Sequence, residues 1–148
     1  MNRAYFLMFM GVGLLAGAGD EARAERPTTV VAADAGAREP QVAVDARGRI
    51  YVAFGVGNAI RCARSDDGGR TFAVATVGEA GTLALGMRRG PRIAVAGESV
   101  VVTAIVGREG KGRDGDLFAW RSTDAGSSWR GPVRVNSVKG SAREGLHG

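Results

Sequence analysis

Short apolar runs separated by turn residues follow one another along most of this chain. Each run has the length of a β-strand, and glycines or turn pairs interrupt every stretch before it reaches the length of a helix. Four runs occur in each half of residues 38–136, at positions 39–44, 50–54, 60–65 and 72–77, and again at 90–95, 100–104, 117–122 and 129–135. We therefore predict an all-β protein.

The four runs of each half differ in character. The first two are apolar and rich in β-branched residues, which is typical of strands that are buried on both faces. The third and fourth runs alternate more and carry arginine, which predicts partly exposed outer strands.

The two halves are copies of one pattern. The sequence EPQVAV at 39–44 resembles GPRIAV at 90–95, and the later runs correspond in the same order, with a longer loop at 107–115 in the second copy. Four-stranded antiparallel units of about 50 residues are typical of the blades of a β-propeller. We predict one blade at 38–78, a second at 89–136 and the start of a third at 141–148.

The turn between the third and fourth runs has the same residues in both halves. The pattern is Ser-x-Asp-x-Gly-x-(Thr/Ser)-aromatic, and we call its copies the first box turn (65–72) and the second box turn (122–129). A carboxylate can accept bonds from turn N–H groups, and glycine can adopt positive φ. The pattern positions are Ser65, Asp67, Gly69, Thr71 and Phe72, and then Ser122, Asp124, Gly126, Ser128 and Trp129.

These box turns resemble the Asp-box, or BNR repeat, of the sialidase superfamily, and the resemblance covers nearly all of residues 25–148. It implies a sialidase-type propeller, commonly with six blades, in which the boxes are structural and lie away from the active site. It also implies a secreted glycoside hydrolase that acts on the terminal sugars of glycans. Asp-boxes also occur in non-catalytic secreted propellers, so a module that binds glycan or protein is the alternative.

A sialidase site would need an arginine triad for the sugar carboxylate and a Tyr–Glu nucleophile pair. Arg38 is the candidate for the first arginine, although Arg89 occupies the same position of the repeat, which favours a structural role for both. Tyr51 lies inside an apolar run, which predicts a core residue. The catalytic residues therefore stay unknown, and we expect residues 25–148 alone to lack sialidase activity.

The remaining residues add few candidate sites. Cys62 is the single cysteine, which excludes an internal disulfide and a cysteine-type zinc site. His147 has no Ser or Cys arrangement around it. Asp114 and Asp116 lack the spacing of an EF-hand, which leaves a solvated loop, a loose calcium site or a sugar-contacting loop. Our prediction is no metal and no cofactor.

The net charge of the chain is +5 at pH 7. The basic cluster of Arg88, Arg89 and Arg92 has no stacking aromatics nearby, so it predicts a solvated turn rather than a nucleic-acid site. The expected partner is a glycan or glycoconjugate. We expect no nucleic-acid partner, and no membrane association once an N-terminal secretory signal has been removed.

The first residues have the pattern of a secretory signal. Arg3 precedes an uncharged, mostly apolar run at 5–18, and Ala22-Arg23-Ala24 places small residues at a cleavage site. We predict a signal peptide at 1–24 and a secreted or periplasmic bacterial protein. An uncleaved anchor is the alternative, although a membrane helix needs about 20 apolar residues.

Two blades cannot close a ring, which takes about four or more. We expect either a fragment of a longer propeller, whose remainder would be a partner, or self-assembly of several copies. In both cases the open sheet edges and uncovered apolar faces predict oligomerisation.

Overall fold

The structure, a computed structural model, describes residues 28–30, 36–86, 89–108 and 114–142. Within these residues it contains β-strands and turns and no helix, which confirms the predicted all-β class. The predicted signal peptide at 1–24 and most of the predicted third-blade start at 141–148 lie outside the described residues. The strands are β1 Ala37–Val44, β2 Ile50–Val56, β3 Ala59–Ser65, β4 Ala73–Glu79, β5 Thr82–Leu83, β6 Arg92–Ala96, β7 Ser99–Gly107, β8 Asp116–Ser122 and β9 Arg130–Arg134.

The described strands form two antiparallel sheets, one from each half of the repeat. Sheet 1 has the order β1-β2-β3-β4, and sheet 2 has the order β6-β7-β8-β9, with the short β5 beside the far end of β7. The pairing is equivalent in the two sheets, because Ile50 lies opposite Ser65 in sheet 1 and Val100 lies opposite Ser122 in sheet 2. Sheet 1 is therefore a four-stranded meander in which sequence neighbours pair, and sheet 2 is an equivalent meander with β5 added as a fifth strand.

The two sheets stack front to back rather than front to front. Tyr51 and Ala53 project from one face of sheet 1 into the main core, where they meet Val100 and Val102 of sheet 2. Because Ile50 and Val100 are equivalent positions of the two sheets, Tyr51 is equivalent to Val101. Neighbouring side chains of a strand alternate between faces, so Val101 points away from the face of sheet 2 on which Val100 and Val102 contact sheet 1. The front of sheet 1 therefore packs on the back of sheet 2, an arrangement that further units could continue.

The burial of four strands differs from the prediction. Of the strands expected to be buried on both faces, β1 and β6 are largely exposed and β7 alternates between buried and half-buried residues, while β3 is more buried than expected. β2 is buried along both faces, as expected, but β1 is exposed, and Val42 and Val44 are 65% and 58% exposed. The reason is position, because β1 is an edge strand of sheet 1 and pairs only on its β2 side within the described residues. β3 is more buried than predicted, because Ile60, Cys62 and Ala63 are buried and even its two arginines are only partly exposed.

Polar contacts join the two sheets at the end where the box turns lie. Arg64 of β3 donates from Nη1 to the Ala125 carbonyl oxygen at 3.0 Å and to Ser127 Oγ at 3.1 Å in the second box turn. The Arg49 guanidinium forms ion pairs with Asp45 of its own unit and with Glu98 of the other unit, and in the second pair Nη1 lies 3.1 Å from Oε2. These contacts fix the relative position of the units beyond what apolar packing specifies.

Among the described residues there is no helix of the length and apolarity that crossing a bilayer requires.

Candidate binding cleft

The molecule has two ends with different chemistry. The turns between β1 and β2 and between β6 and β7 lie at one end together with both box turns, and we call this the box end. The other end, which we call the loop end, has the β2–β3 turn, the connections after β4 and after β9, and the described ends of the long loop at 107–108 and 114–115. Loops on a rigid β scaffold are where binding residues concentrate.

In the first box turn one carboxylate organises the hairpin. Asp67 accepts at Oδ1 from the Ser65 hydroxyl at 2.7 Å and from the backbone N–H groups of Arg70 and Thr71 at 3.0 and 2.9 Å. Its Oδ2 accepts from the Thr71 hydroxyl at 2.6 Å. Ser65 Oγ in turn accepts from the N–H of Gly69 at 2.8 Å. Both carboxylate oxygens of Asp67 are thus used inside the turn.

The second box turn repeats this network except at one position, where the N–H of Ser127 donates to the Asp124 carbonyl and not to its carboxylate. Asp124 accepts from the Ser122 hydroxyl at 2.7 Å, and from the N–H and hydroxyl of Ser128 at 2.8 and 2.5 Å. The N–H of Gly126 donates to Ser122 Oγ at 2.7 Å, and the Trp129 indole donates to the Gly126 carbonyl at 3.1 Å. The aromatic position therefore closes the turn, with Trp129 packing against the core.

Hydrogen bonds to the charged form lower the pKa of both box carboxylates. For Asp67 the cause is, first, the Thr71 hydroxyl and then the turn N–H of Thr71 and the Ser65 hydroxyl. For Asp124 the Ser128 hydroxyl comes first and the pKa falls from 3.8 to about 2. A carboxylate held ionised by its own turn is suited to shaping a hairpin and unsuited to donating a catalytic proton.

We predict that Asp67→Ala lowers the melting temperature by several degrees at neutral pH, whereas Asp66→Ala has a much smaller effect. Asp66 is the matched control, because it occupies a variable box position and makes an exposed ion pair with Arg64. A depressed pKa contributes stability above the unfolded pKa that is lost as pH falls through the folded one. The difference in melting temperature between the two variants should therefore shrink as the pH falls below about 4. Equal losses from both substitutions at neutral pH would contradict the assignment.

The other candidate residues from the sequence do not lie together in the described structure. Arg38 lies exposed at the start of β1, opposite Gly55, so it is at the loop end. Tyr51 is 0% exposed and belongs to the main core, as predicted. Cys62 is buried, and burial raises the pKa of its thiol to about 12, so it is unreactive at neutral pH. Arg88 and His147 lie outside the described residues.

A cleft of about 700 Å³ opens at the loop end beside sheet 2. It lies where β7 and β8 enter and leave the long loop, next to the connections that follow β4 and β9. Its lining combines one aromatic ring with acidic, basic and backbone groups. The lining residues that matter here are Gly81, Arg108, Asp114, Asp116, Phe118 and Lys139.

Asp116 orders one wall of this cleft. Its Oδ1 accepts from the side-chain amide of Asn136 and from the backbone N–H of Gly140, each at 2.7 Å. These two bonds, the Asn136 amide above all, lower the pKa of Asp116, which keeps the carboxylate ionised. The Asn136 amide also donates to the Val138 carbonyl at 2.6 Å, so the segment after β9 is folded against the cleft.

The opposite wall is made by the ends of the long loop. The backbone N–H of Arg108 donates to Asp114 Oδ2 at 3.1 Å, and the Thr82 hydroxyl donates to the Arg108 carbonyl at 3.0 Å. Arg108 itself extends into solvent, with its side chain 95% exposed. Phe118 is half-buried at the edge of the main core, and its ring is tilted 52° to that of Trp120 with the ring centroids 6.4 Å apart.

Sequence reasoning found only part of this cleft. It singled out Asp114 and Asp116 in the long loop, but it did not point to Phe118, Arg108 or Lys139. The unequal loop lengths of the two copies were the available signal, because an added loop in one unit marks the end at which the units differ. The described residues hold no cluster of three or more metal-ligating side chains.

Comparison with known proteins gives one likeness. No family model matches the chain, and no curated protein matches it. The chain resembles a solved endo-1,4-beta-xylanase from Bacteroides thetaiotaomicron, with 14% identity, a TM-score of 0.44 and coverage of 69% of this chain. The match covers 37% of that protein, so this chain spans little more than a third of its length.

The expected membership of the sialidase superfamily is therefore wrong. No family model matches, and the solved structure that the chain resembles is a xylanase rather than a sialidase. The physical reason is the local scope of the box pattern. Its side chains satisfy N–H groups within one hairpin, so the pattern specifies a turn and does not specify the fold or the reaction of the protein that carries it.

Proposed function

We propose that this chain is an exported, non-catalytic module that binds glycans in the cleft at the loop end. The observation that carries the proposal is the lining of the cleft, where the Phe118 ring lies between charged and backbone polar groups. Its place opposite the box end, on the loops of a rigid scaffold, supports the same conclusion.

The chemistry of a sugar ring matches this lining. A pyranose offers an apolar C–H face and a rim of hydroxyls, each of which both donates and accepts. Phe118 supplies a flat apolar surface for the C–H face. Asp114 and Asp116 offer acceptor oxygens, while Arg108 and Lys139 are donors without acceptor capacity. Clefts with one aromatic surface and a few placed polar groups bind small ligands in a defined orientation.

Binding is favoured over hydrolysis by the state of Asp116. A glycosidase usually needs a carboxylic acid whose raised pKa keeps it protonated until it reaches the leaving oxygen. The pKa of Asp116 is lowered instead, and its Oδ1 is already bonded to Asn136 and Gly140. This carboxylate is therefore unsuited to the acid role, and its bonds to Asn136 and Gly140 hold the wall of the cleft in place.

For the fold, the proposal is that the two sheets are neighbouring blades of a β-propeller. The front-to-back stacking of two equivalent four-stranded meanders supports it, because radial repetition requires each unit to offer different faces to its two neighbours. The number of blades in such a ring is not part of the proposal.

For localisation, the proposal is export through cleavage after Ala24. The intact mass of protein recovered from the periplasm or the medium should then correspond to a chain that begins at Glu25. Recovery of the chain in the cytoplasm with Met1 in place would contradict export.

The test of binding is a glycan array followed by calorimetry on the strongest ligand. We expect Phe118→Leu, which keeps an apolar side chain but removes the ring, to weaken that binding by about tenfold. Phe72→Leu at the box end is the matched control and should bind as the wild type does. The absence of any array ligand, or equal losses from the two variants, would contradict the proposed cleft.

A further inference from the structure

The outer edge strands of the two sheets are protected to different degrees. β4 and β9 occupy the same place in their units, each as the last strand of its sheet among the described residues. β9 has Gly131 and Pro132 within it, and arginines at both ends, Arg130 and Arg134. Proline and charge on an edge strand prevent another strand from pairing with it.

β4 has no proline, and its one charged residue is Glu79 at its last position. Residues 71–78 contain neither charge nor proline, and Val74 is 43% exposed. Half of the backbone N–H and C=O groups of β4 point away from β3, as in any edge strand. A neutral, β-prone edge of this kind is a template for strand addition.

We propose that β4 pairs antiparallel with β4 of a second copy of this chain, about a two-fold axis at Val74. A two-fold axis perpendicular to the sheet joins equivalent faces of the two copies into one continuous face. Residues of one copy therefore lie opposite residues of the other copy that are on the same face. In this register Val74 is opposite its own copy, Ala73 is opposite Ala75, and Phe72 is opposite Thr76. β-branched and aromatic pairs of this kind stabilise a sheet.

The charges beside the neutral segment favour a second copy over an unrelated strand. β4 has a bulge at Val77, since Arg61 pairs with Thr76 and Ile60 pairs with Gly78. Counting across that bulge, the two-fold register brings the end of the first box turn of one copy, with exposed Arg70, near exposed Glu79 of the other, twice per dimer. The segment is therefore complementary to itself in charge, and the product is one continuous eight-stranded sheet.

The experiment is sedimentation velocity on the full chain over a concentration series. The wild type is expected to form dimers, and Val74→Lys is expected to raise the dimer Kd by about tenfold or more, because it places two lysines opposite each other. Val133→Lys on β9 is the matched control and should leave the dimer unchanged. Circular dichroism of each variant establishes that the fold is intact.

Two further variants test the register itself. Arg70→Glu and Glu79→Arg should each weaken the dimer, and the double variant Arg70→Glu/Glu79→Arg should restore it. Val74→Cys should form an intermolecular disulfide on oxidation, while buried Cys62 does not take part. A monomeric wild type, a dimer that Val74→Lys leaves unchanged, or a double variant no better than the single ones would overturn the proposal.

Discussion

Trp120→Ala is expected to destabilise the protein by about 3–5 kcal/mol, the largest loss of any single substitution in the main core. Trp120 is 2% exposed and lies in the main core between the two sheets. Its removal leaves a cavity between rigid strands that cannot close over it. Since small domains have total stabilities of about 5–15 kcal/mol, the variant should be near the limit of folding.

Urea denaturation followed by circular dichroism measures this loss, and Trp129 remains as a fluorescent probe in the variant. Val133→Ala is the control, because Val133 is 64% exposed and a surface substitution should change the free energy of unfolding by less than about 0.5 kcal/mol. A loss below about 1 kcal/mol for Trp120→Ala would show that the sheets do not meet at this residue.

Gly78→Ala is expected to cost about 1–3 kcal/mol, although it adds a single methyl group. Gly78 lies on β4 where the indole of Trp120 packs against the backbone, and an added Cβ would overlap Nε1 and lie 2.9 Å from Cδ1. The backbone of Gly78 does not need positive φ, so the penalty comes from steric overlap. The melting temperature of the variant measures it.

The control and a second substitution separate this clash from a general effect of replacing glycine. Gly86→Ala adds a methyl group whose nearest neighbours are atoms of the Arg89 guanidinium at 3.3–3.4 Å, and it should cost much less than Gly78→Ala. In the background of Trp120→Leu the penalty of Gly78→Ala should fall, because the smaller side chain leaves room. Additive losses in that cycle would contradict the contact.

The kinds of bond in the box turns could be predicted because the interactions are local. Each carboxylate bonds to groups two to four residues away, so the sequence spacing Ser-x-Asp-x-Gly contains most of the geometry. The positive φ of Gly69 and Gly126 follows from the same pattern. The family assigned from these turns was wrong for the same reason, since a local pattern carries little information about the rest of the chain.

The strand order was also predictable, because meanders pair sequence neighbours. The burial of β1 was not. Its apolar residues indicated a strand covered on both faces, but coverage depends on which element lies against it, and among the described residues β1 is at an edge. The hydrophobic pattern of a strand shows which side chains could be buried, whereas the sheet topology determines which of them are covered by another element.

The cleft was the least predictable feature. Phe118 reads as one more apolar strand residue, and Gly81 and Lys139 lie in connections far apart in sequence. They come together only because the two sheets stack front to back and the segment after β9 folds over Asp116. The spacing of residues along the sequence gives no information about how the two sheets stack.

The measurement that tests the account most directly is a map of amide chemical-shift changes on titration with the strongest array glycan. We expect the changes to cluster at the loop end, around Gly81, Arg108, Asp116, Phe118 and Lys139, while both box turns stay unchanged. Changes centred on the box turns, or spread evenly over both ends, would contradict a glycan-binding cleft at the loop end.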